Sequence, residues 1–480
     1  MLEHSEAVGA VVEDEQQRAK VESLGLANVL TLDELDGLRA EGIAYAGEHP
    51  DALAEAENAI DEDDLYTYIY TSGTTGPPKA CMLRHRNYYA MTSCIEEIEG
   101  LALDRDVMLL YLPLAHNFGR LMALWGAYSG FTIAFCPDPY SVAEVLPQVR
   151  PTLLPSVPRV YEKAHTAIAS ALEDASGVRR RLARWALDVG RRVSRFRQAQ
   201  QPIPPLLALQ HRIADRLVYS KVKQRFGGRL RLGISGGAPL AKELGEFFHA
   251  LDILVLEGWG LTECTTAATV NRPKRYRFGT VGPPMPGFEV KADPEGELLI
   301  RSETVFAGYL KDDRATREVM TADGWLRSGD VGAIDDHGFV TITDRKKDII
   351  VTAGGKNVAP QNIENALKRS RYVSQALVIG DRRPYVAALI TLDAEVTGAD
   401  GIGDVRALVA RAVDEVNRDL SRFEEIKRFV ILPREFSAEQ GEVTPTLKLK
   451  RRVIEERFAD EIDELYAGPS QRNEGTSQAI

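Results

Sequence analysis

YIYTSGTTGPPKACMLRHRN, residues 68–87, sets six hydroxyl-bearing or glycine residues in a row, Thr71 to Gly76, and closes the run with Pro77, Pro78 and Lys79. The residues before it, Leu65 to Tyr70, are aromatic, β-branched or apolar, so a strand is expected to run straight into a loop. Gly73 and Gly76 let backbone amides turn inward, and Thr71, Ser72, Thr74 and Thr75 add hydroxyl donors. Such a loop makes an anion cradle suited to phosphate oxygens, with Lys79 supplying a charge for a terminal phosphate. By composition alone a polar surface turn stands beside that reading. A Walker A loop is disfavoured, because prolines precede Lys79 and no Ser or Thr follows it.

The rest of the chain bounds what the loop belongs to. Its 480 residues suggest two or three domains, and 44% apolar with 27% charged residues is an ordinary globular balance. Four cysteines, Cys81, Cys94, Cys136 and Cys264, stand apart without a CxxC pair. That argues against a disulfide framework or thiolate metal site and favours a reducing cytoplasm. The uncharged run Leu121 to Cys136 spans 16 residues, short of the ~20 needed to cross a bilayer, and reads as core. The opening MLEHSEAVGAVVEDEQ lacks the basic start and apolar stretch of a secretory leader.

The net charge of −11 is uneven: between Arg179 and Arg231 fifteen Lys and Arg face only Asp188 and Asp215. That segment reads either as the solvated face of long helices or as a surface attracted to an anionic membrane leaflet or phosphate-bearing group. Peripheral contact with membrane through 179–231 is thus an expectation; a nucleic-acid partner is not expected.

Apolar β-type runs at 106–114, 131–136, 229–236 and 253–260 alternate with helical patterns, as in an α/β protein with a mainly parallel sheet. From Glu289 the pattern turns to short strands with tight turns, including a hairpin connection at Asp335 to Gly338. The expected organisation is a large domain over 1–344, β-rich at about 280–344, a small α+β domain over 345–465 and a disordered tail at 466–480. The stretch after Val443 is expected to be a basic loop entering an amphipathic helix.

Read whole, YTSGTTGPPKACMLRHRN resembles the phosphate loop of the adenylate-forming superfamily, which includes acyl-CoA synthetases, luciferases and peptide-synthetase adenylation domains. Further matching segments follow in the family's order: LPLAHNFG (112–119), GISGGAPL (233–240), EGWGLTE (257–263), GWLRSGD (324–330), TDRKKDII (343–350) and TPTLKLKRR (444–452). PSVPRVYEK, GDRRPYVAALIT and TPTLKLKRR resemble the long-chain fatty-acid–CoA ligases in particular. The resemblance implies ATP-dependent activation of a fatty acid to acyl-AMP and transfer to coenzyme A, with Mg²⁺ as the metal. Two other functions stay open: an acyl-AMP ligase loading a carrier protein, and an inactive, truncated paralogue that binds.

Residue by residue, the resemblance implies that Thr71, Ser72, Gly73, Thr74, Thr75, Gly76 and Lys79 hold the β- and γ-phosphates. Gly236, Gly237, Ala238 and Pro239 would lie along one face of adenine. In EGWGLTE (Glu257, Gly258, Trp259, Gly260, then Thr262 and Glu263), Trp259 would stack on adenine, Thr262 would contact the α-phosphate, and Glu263 would bind Mg²⁺, with Thr71 near the metal. Asp330 and Arg345 would hold the ribose, Lys347 would be the hinge of the small domain, and Lys448 would reach the carboxylate and α-phosphate during adenylation. His116 is either a wall of the acyl pocket or a packed core residue. Asn357 stands where many relatives carry Arg, which puts a coenzyme A or domain contact in doubt. Relatives also carry residues ahead of the equivalent of LEHSEA, so uncovered apolar faces are expected in the first part of this chain.

Overall fold

The computed structural model describes residues 1–71, 78–173, 176–393, 404–444 and 448–467. It is a mixed α/β protein with a large N-terminal part and a smaller C-terminal one. The strand Leu65–Thr71 is formed as expected, and it pairs antiparallel with Lys79–Arg84 in a register that sets Thr71 opposite Lys79. Ala80, Cys81 and Leu83 of the second strand are buried, which anchors that arm of the hairpin in the core. Residues 72–77, and with them the calls on Ser72 to Gly76, lie outside the described residues, as does most of the expected tail.

A six-stranded sheet forms the centre, in the spatial order Thr269–Val270, Val255–Trp259, Leu232–Ser235, Leu153–Ser156, Val107–Leu110, Thr132–Phe135. All neighbours are parallel except the first pair. Strand order reverses at Val107–Leu110, whose chain successors lie on opposite sides of it. In open parallel sheets, ligands bind beyond the carboxyl ends of the strands at such a point. LPLAHNFG, GISGGAPL and EGWGLTE leave or cover the carboxyl ends of three of these strands, so one edge of the sheet collects them.

The β-rich part is an antiparallel sheet of Glu289–Ala292, Glu297–Arg301, Leu326–Ile334 and Val340–Arg345. Beyond Arg345 the elements build a separate unit around the sheet Val373–Ile379, Val386–Leu392, Ile426–Ile431. One face of this sheet is covered by helices Pro360–Leu367 and Val405–Asn417, the other by the C-terminal helices. The expected single terminal helix is two, Arg451–Arg457 and Ala459–Tyr466, because Phe458 leaves helical geometry (φ −104°, ψ 31°) and is buried.

Polar contacts fasten the small unit onto the large one. Arg159 Nη1 donates to the Ser374 carbonyl at 2.9 Å and its Nη2 to Ser374 Oγ at 2.7 Å. Lys368 meets Glu162 at 3.1 Å, Arg369 meets Glu243 at 3.0 Å, and the Gln361 amide donates to Asp344 at 3.0 Å. In the first part of the chain, Val11, Ile43 and Leu53 are exposed.

Candidate active site

A cleft of about 2590 Å³ runs between the two units and the carboxyl edge of the central sheet. This exceeds the ~300–1,000 Å³ of a pocket for one small ligand. Thr71, Lys79, His116, Gly236, Gly237, Ala238, Pro239, Glu257, Gly258, Trp259, Gly260, Thr262, Glu263, Asp330, Arg345, Lys347 and Lys448 all line it. These residues therefore meet in one place, whereas Asn357 is exposed on the strand Asn357–Val358 and does not line the cleft.

Local folding explains how. Gly237 has φ +83°, which a side chain disfavours, and a Cβ on Gly260 would stand 2.1 Å from the Thr266 carbonyl oxygen. The loop carrying Gly236 to Pro239 is tied down by the Leu240 amide, which donates to Glu257 Oε1 at 2.8 Å. Glu257 is buried, and that burial pushes its carboxyl up to about 8, so it is held neutral at pH 7. After the short turn Thr262–Cys264, both Thr265 (φ 57°) and Thr266 (φ 92°) lie in the left-handed region. For β-branched residues this is strained backbone of the kind found at functional sites.

Asp330 is buried and doubly engaged: Trp259 Nε1 donates to its Oδ2 at 2.7 Å, and Arg345 Nε meets its Oδ1 at 3.0 Å. An indole at 259 thus keeps a flat face and adds a donor that positions the carboxylate. Glu263 Oε1 accepts from the Tyr309 hydroxyl at 2.6 Å, and Lys79 Nζ sits 5.0 Å from the centroid of the same ring.

Lys448 belongs to the small unit and is hydrogen-bonded to Thr444. The Thr444 amide donates to the Lys448 carbonyl at 2.8 Å, and the Lys448 amide donates to Thr444 Oγ1 at 3.0 Å. Cleft water reaches the side chain, yet the walls of both units enclose it. That enclosure first, then repulsion from Arg345, lowers its ammonium to about 8 against the attraction of Asp330 and Asp348.

His116 is half-buried, between the two readings offered for it. It lines the cleft, and its Nδ1 accepts from the Phe118 amide at 3.2 Å as the cap of helix Asn117–Ser129, which leaves the ring proton on Nε2. Burial, then the charge of Lys448, lowers its pKa below the ordinary histidine value. The same cleft is walled by Ile95, Leu101, Leu121, Met122 and Trp125, so an apolar lining and the nucleotide-type residues share one space.

The AMP-binding enzyme model matches residues 1–310, and the model of the AMP-binding enzyme C-terminal domain matches residues 347–470. This chain belongs to the AMP-binding enzyme family. Among its relatives is the long-chain-fatty-acid–CoA ligase FadD15 of Mycobacterium bovis, 37% identical over 97% of this chain and 81% of that protein. The long-chain-fatty-acid–CoA ligase ACSBG2 of Gallus gallus is 34% identical over 90% of this chain and 63% of its own length. The fold is shared with the crystal structure of the adenylation domain of a carboxylate reductase from Mycobacterium chelonae, at a TM-score of 0.74 and 24% identity, over 97% of this chain and 74% of that one.

Three features of this AMP-binding enzyme's site were not legible in its sequence. Tyr309 is 46 residues from the Glu263 it holds, and Arg159 is 215 residues from Ser374. The third is a set of buried polar atoms without a hydrogen-bond partner in the protein, Asn117 Nδ2, Ser235 Oγ and Thr266 Oγ1, on residues that line the cleft. Buried polar groups are rarely left unpaired, so these atoms have hydrogen-bonding capacity free for water or a ligand in the cleft. Serine and threonine beside glycine-rich motifs were the available signal. Among the described residues no helix is long and apolar enough to cross a membrane, and the four cysteines are free.

Proposed function

We propose that this AMP-binding enzyme activates a long-chain fatty acid with ATP and passes the acyl group to coenzyme A. The observation that carries the reading is one cleft holding Lys448 of the small unit, the Trp259–Asp330–Arg345 group and Glu263 together with an apolar wall. The relatives named above as long-chain-fatty-acid–CoA ligases support it.

In the first step a carboxylate oxygen attacks the α-phosphorus of ATP and pyrophosphate leaves. Negative charge builds on phosphate oxygens, so donors and cations fixed in advance stabilise the transition state more than they stabilise the substrate. Lys79 and Lys448 are two of the cations that line the cleft, and Thr262 offers a hydroxyl. Asp330 and Arg345 suit a ribose, with acceptor and donor side by side. The residues fit a magnesium ion carried in on the nucleotide: Glu263 offers a hard oxygen oriented by Tyr309, and no cluster of three ligating side chains exists among the described residues. Mg²⁺ is ordinarily held by one or two carboxylates plus substrate phosphates, where it neutralises phosphate charge. In the second step the sulfur of coenzyme A attacks the activated carbonyl, and AMP leaves.

The small unit must withdraw Lys448 before a thiol can approach, and Lys347, in the short link after Arg345, is the hinge in this reading. A long fatty acid is a membrane-borne substrate, so peripheral contact with an anionic leaflet through 179–231 fits the same reading.

Pyrophosphate release measured over fatty acids of increasing length, with coenzyme A, with a phosphopantetheinylated carrier protein and with neither, tests the proposal. Release with long acids, and acyl-CoA as product, is expected; product on the carrier alone, or no release with any acid, overturns it. Lys448→Ala is expected to abolish acyl-AMP formation and spare thioester formation from supplied acyl-AMP. Equal loss in both half-reactions refutes the role of Lys448.

A further inference from the structure

We propose that the packed helices Gly177–Gln198 and Pro205–Ala214 form a docking face for the surface of an anionic phospholipid bilayer. The proposal names the partner of the fatty-acid reading and rests on that reading for its purpose, not for its physics.

The cations of this region divide by the direction they face. Those turned inward are neutralised: Arg197 meets Asp252 at 2.6 Å, Lys223 meets Asp215 at 2.5 Å, and Arg231 pairs with Asp106. Those turned outward are not. Arg181, Arg184, Arg191, Arg192 and Arg195 of the first helix are exposed, and no acidic partner is found for them among the described residues. Asp188 is the sole acid on that helix. A face that is merely solvated mixes both signs, and in a chain of net charge −11 an almost purely cationic helix surface departs from that average.

The second observation is independent of charge. Leu206, Leu209, Ile213 and Leu217 are 69%, 53%, 44% and 41% exposed, at spacings that keep them on one side of helix Pro205–Ala214 and the wide turn Asp215–Tyr219 after it. Leu207, Ala214, Val218 and Tyr219 on the other side are buried, so the element is anchored while its outward stripe is left to solvent. Arg212, Arg216 and Lys221, all exposed, flank the stripe. Leucines in a bed of unpaired arginines match a bilayer interface, where acyl chains accept the apolar residues and anionic headgroups the cations. A nucleic acid offers the cations a partner and the leucines none.

The test is sedimentation of the full chain with vesicles of phosphatidylcholine alone or with added phosphatidylglycerol, at low and high salt. Binding is expected only with the anionic lipid and should collapse as salt rises from about 0.1 to about 0.5 M. A triple variant R191E/R192E/R195E is expected to lose at least about a hundredfold in partitioning. L206S/L209S/I213S should lose about tenfold or more while keeping the salt response. Both variants lie outside the cleft, so pyrophosphate release with a detergent-dispersed acid should stay at the wild-type level, which also reports that they fold. Equal binding to both vesicle types, indifference to both variants, or tighter capture by duplex DNA that ignores the leucine changes overturns the inference. A chain that binds anionic vesicles but activates no fatty acid leaves docking standing and removes only the proposed reaction; the reverse result removes docking alone.

Discussion

Replacing Tyr309 by Phe tests whether Glu263 is held ready for a metal. The phenol donates to Glu263 Oε1 at 2.6 Å, and burial together with the Glu263 charge pushes its pKa far up, so it remains a donor at any working pH. Phe keeps the ring packed on Phe306, with centroids 4.9 Å apart, and keeps the face 5.0 Å from Lys79 Nζ. Only one hydrogen bond to a charged acceptor is removed, a bond of ~1.5–3 kcal/mol. Glu263 faces the open cleft, so water replaces part of the loss and the lower figure applies. A loss of ~1.4 kcal/mol is tenfold in an equilibrium constant, within the ~10–100-fold typical when a ligand's supporting partner is removed. Pyrophosphate exchange into ATP, followed against Mg²⁺ concentration, should therefore show half-saturation raised about tenfold, with the maximal rate recovered at high metal and the melting temperature unchanged. Glu263→Gln should lose activity at every Mg²⁺ concentration. A Y309F enzyme with the wild-type Mg²⁺ curve, beside a disabled E263Q enzyme, would refute the reasoning.

Two further outcomes follow from ionisable groups that line the cleft. Lys448 has its pKa lowered to about 8, so it is charged below that pH and neutral above it; kcat/KM for ATP should fall as pH rises through about 8, and Lys448→Arg, which stays charged, should flatten that limb. Persistence of the same limb in K448R would assign it to another group. Glu257 has a folded-state pKa raised from the ordinary 4.5 to about 8, so its contribution to stability is present below about 4.5 and lost as pH rises through 8. Thermal melts of wild type should therefore decline from pH 5 to 9 by an amount corresponding to a few kcal/mol, and Glu257→Gln should show a flatter profile; parallel profiles would show that Glu257 does not titrate in this range.

The hairpin that bears the phosphate loop was readable because its signals are local: an apolar strand, a hydroxyl–glycine run, then prolines and a lysine. The strand Leu153–Ser156, at the middle of the parallel sheet, was not. It is only four residues long, and Pro155 within it argues against a central strand. All four of its residues are nonetheless buried and paired with Leu232–Ser235, and Leu153 also pairs with Met108 on the other side. The terminal helix was overextended because Phe458 fits an amphipathic pattern, and only its burial against the small unit's core explains the break.

Residue types and their order along the chain determined the alternating α/β architecture, the change to a small C-terminal unit, the family, and which side chains to watch, since propensity, turn chemistry and motif spacing act between near neighbours. Tertiary structure alone decided that these side chains share one cleft, that Tyr309 orients Glu263, that Trp259 and Arg345 grip Asp330, and that Arg159 clasps the small unit with Lys448 turned inward. Those contacts depend on distances in space between residues far apart in the chain, and the burial that displaces the pKa values of Lys448 and Glu257 exists only once the walls of the cleft have closed around them.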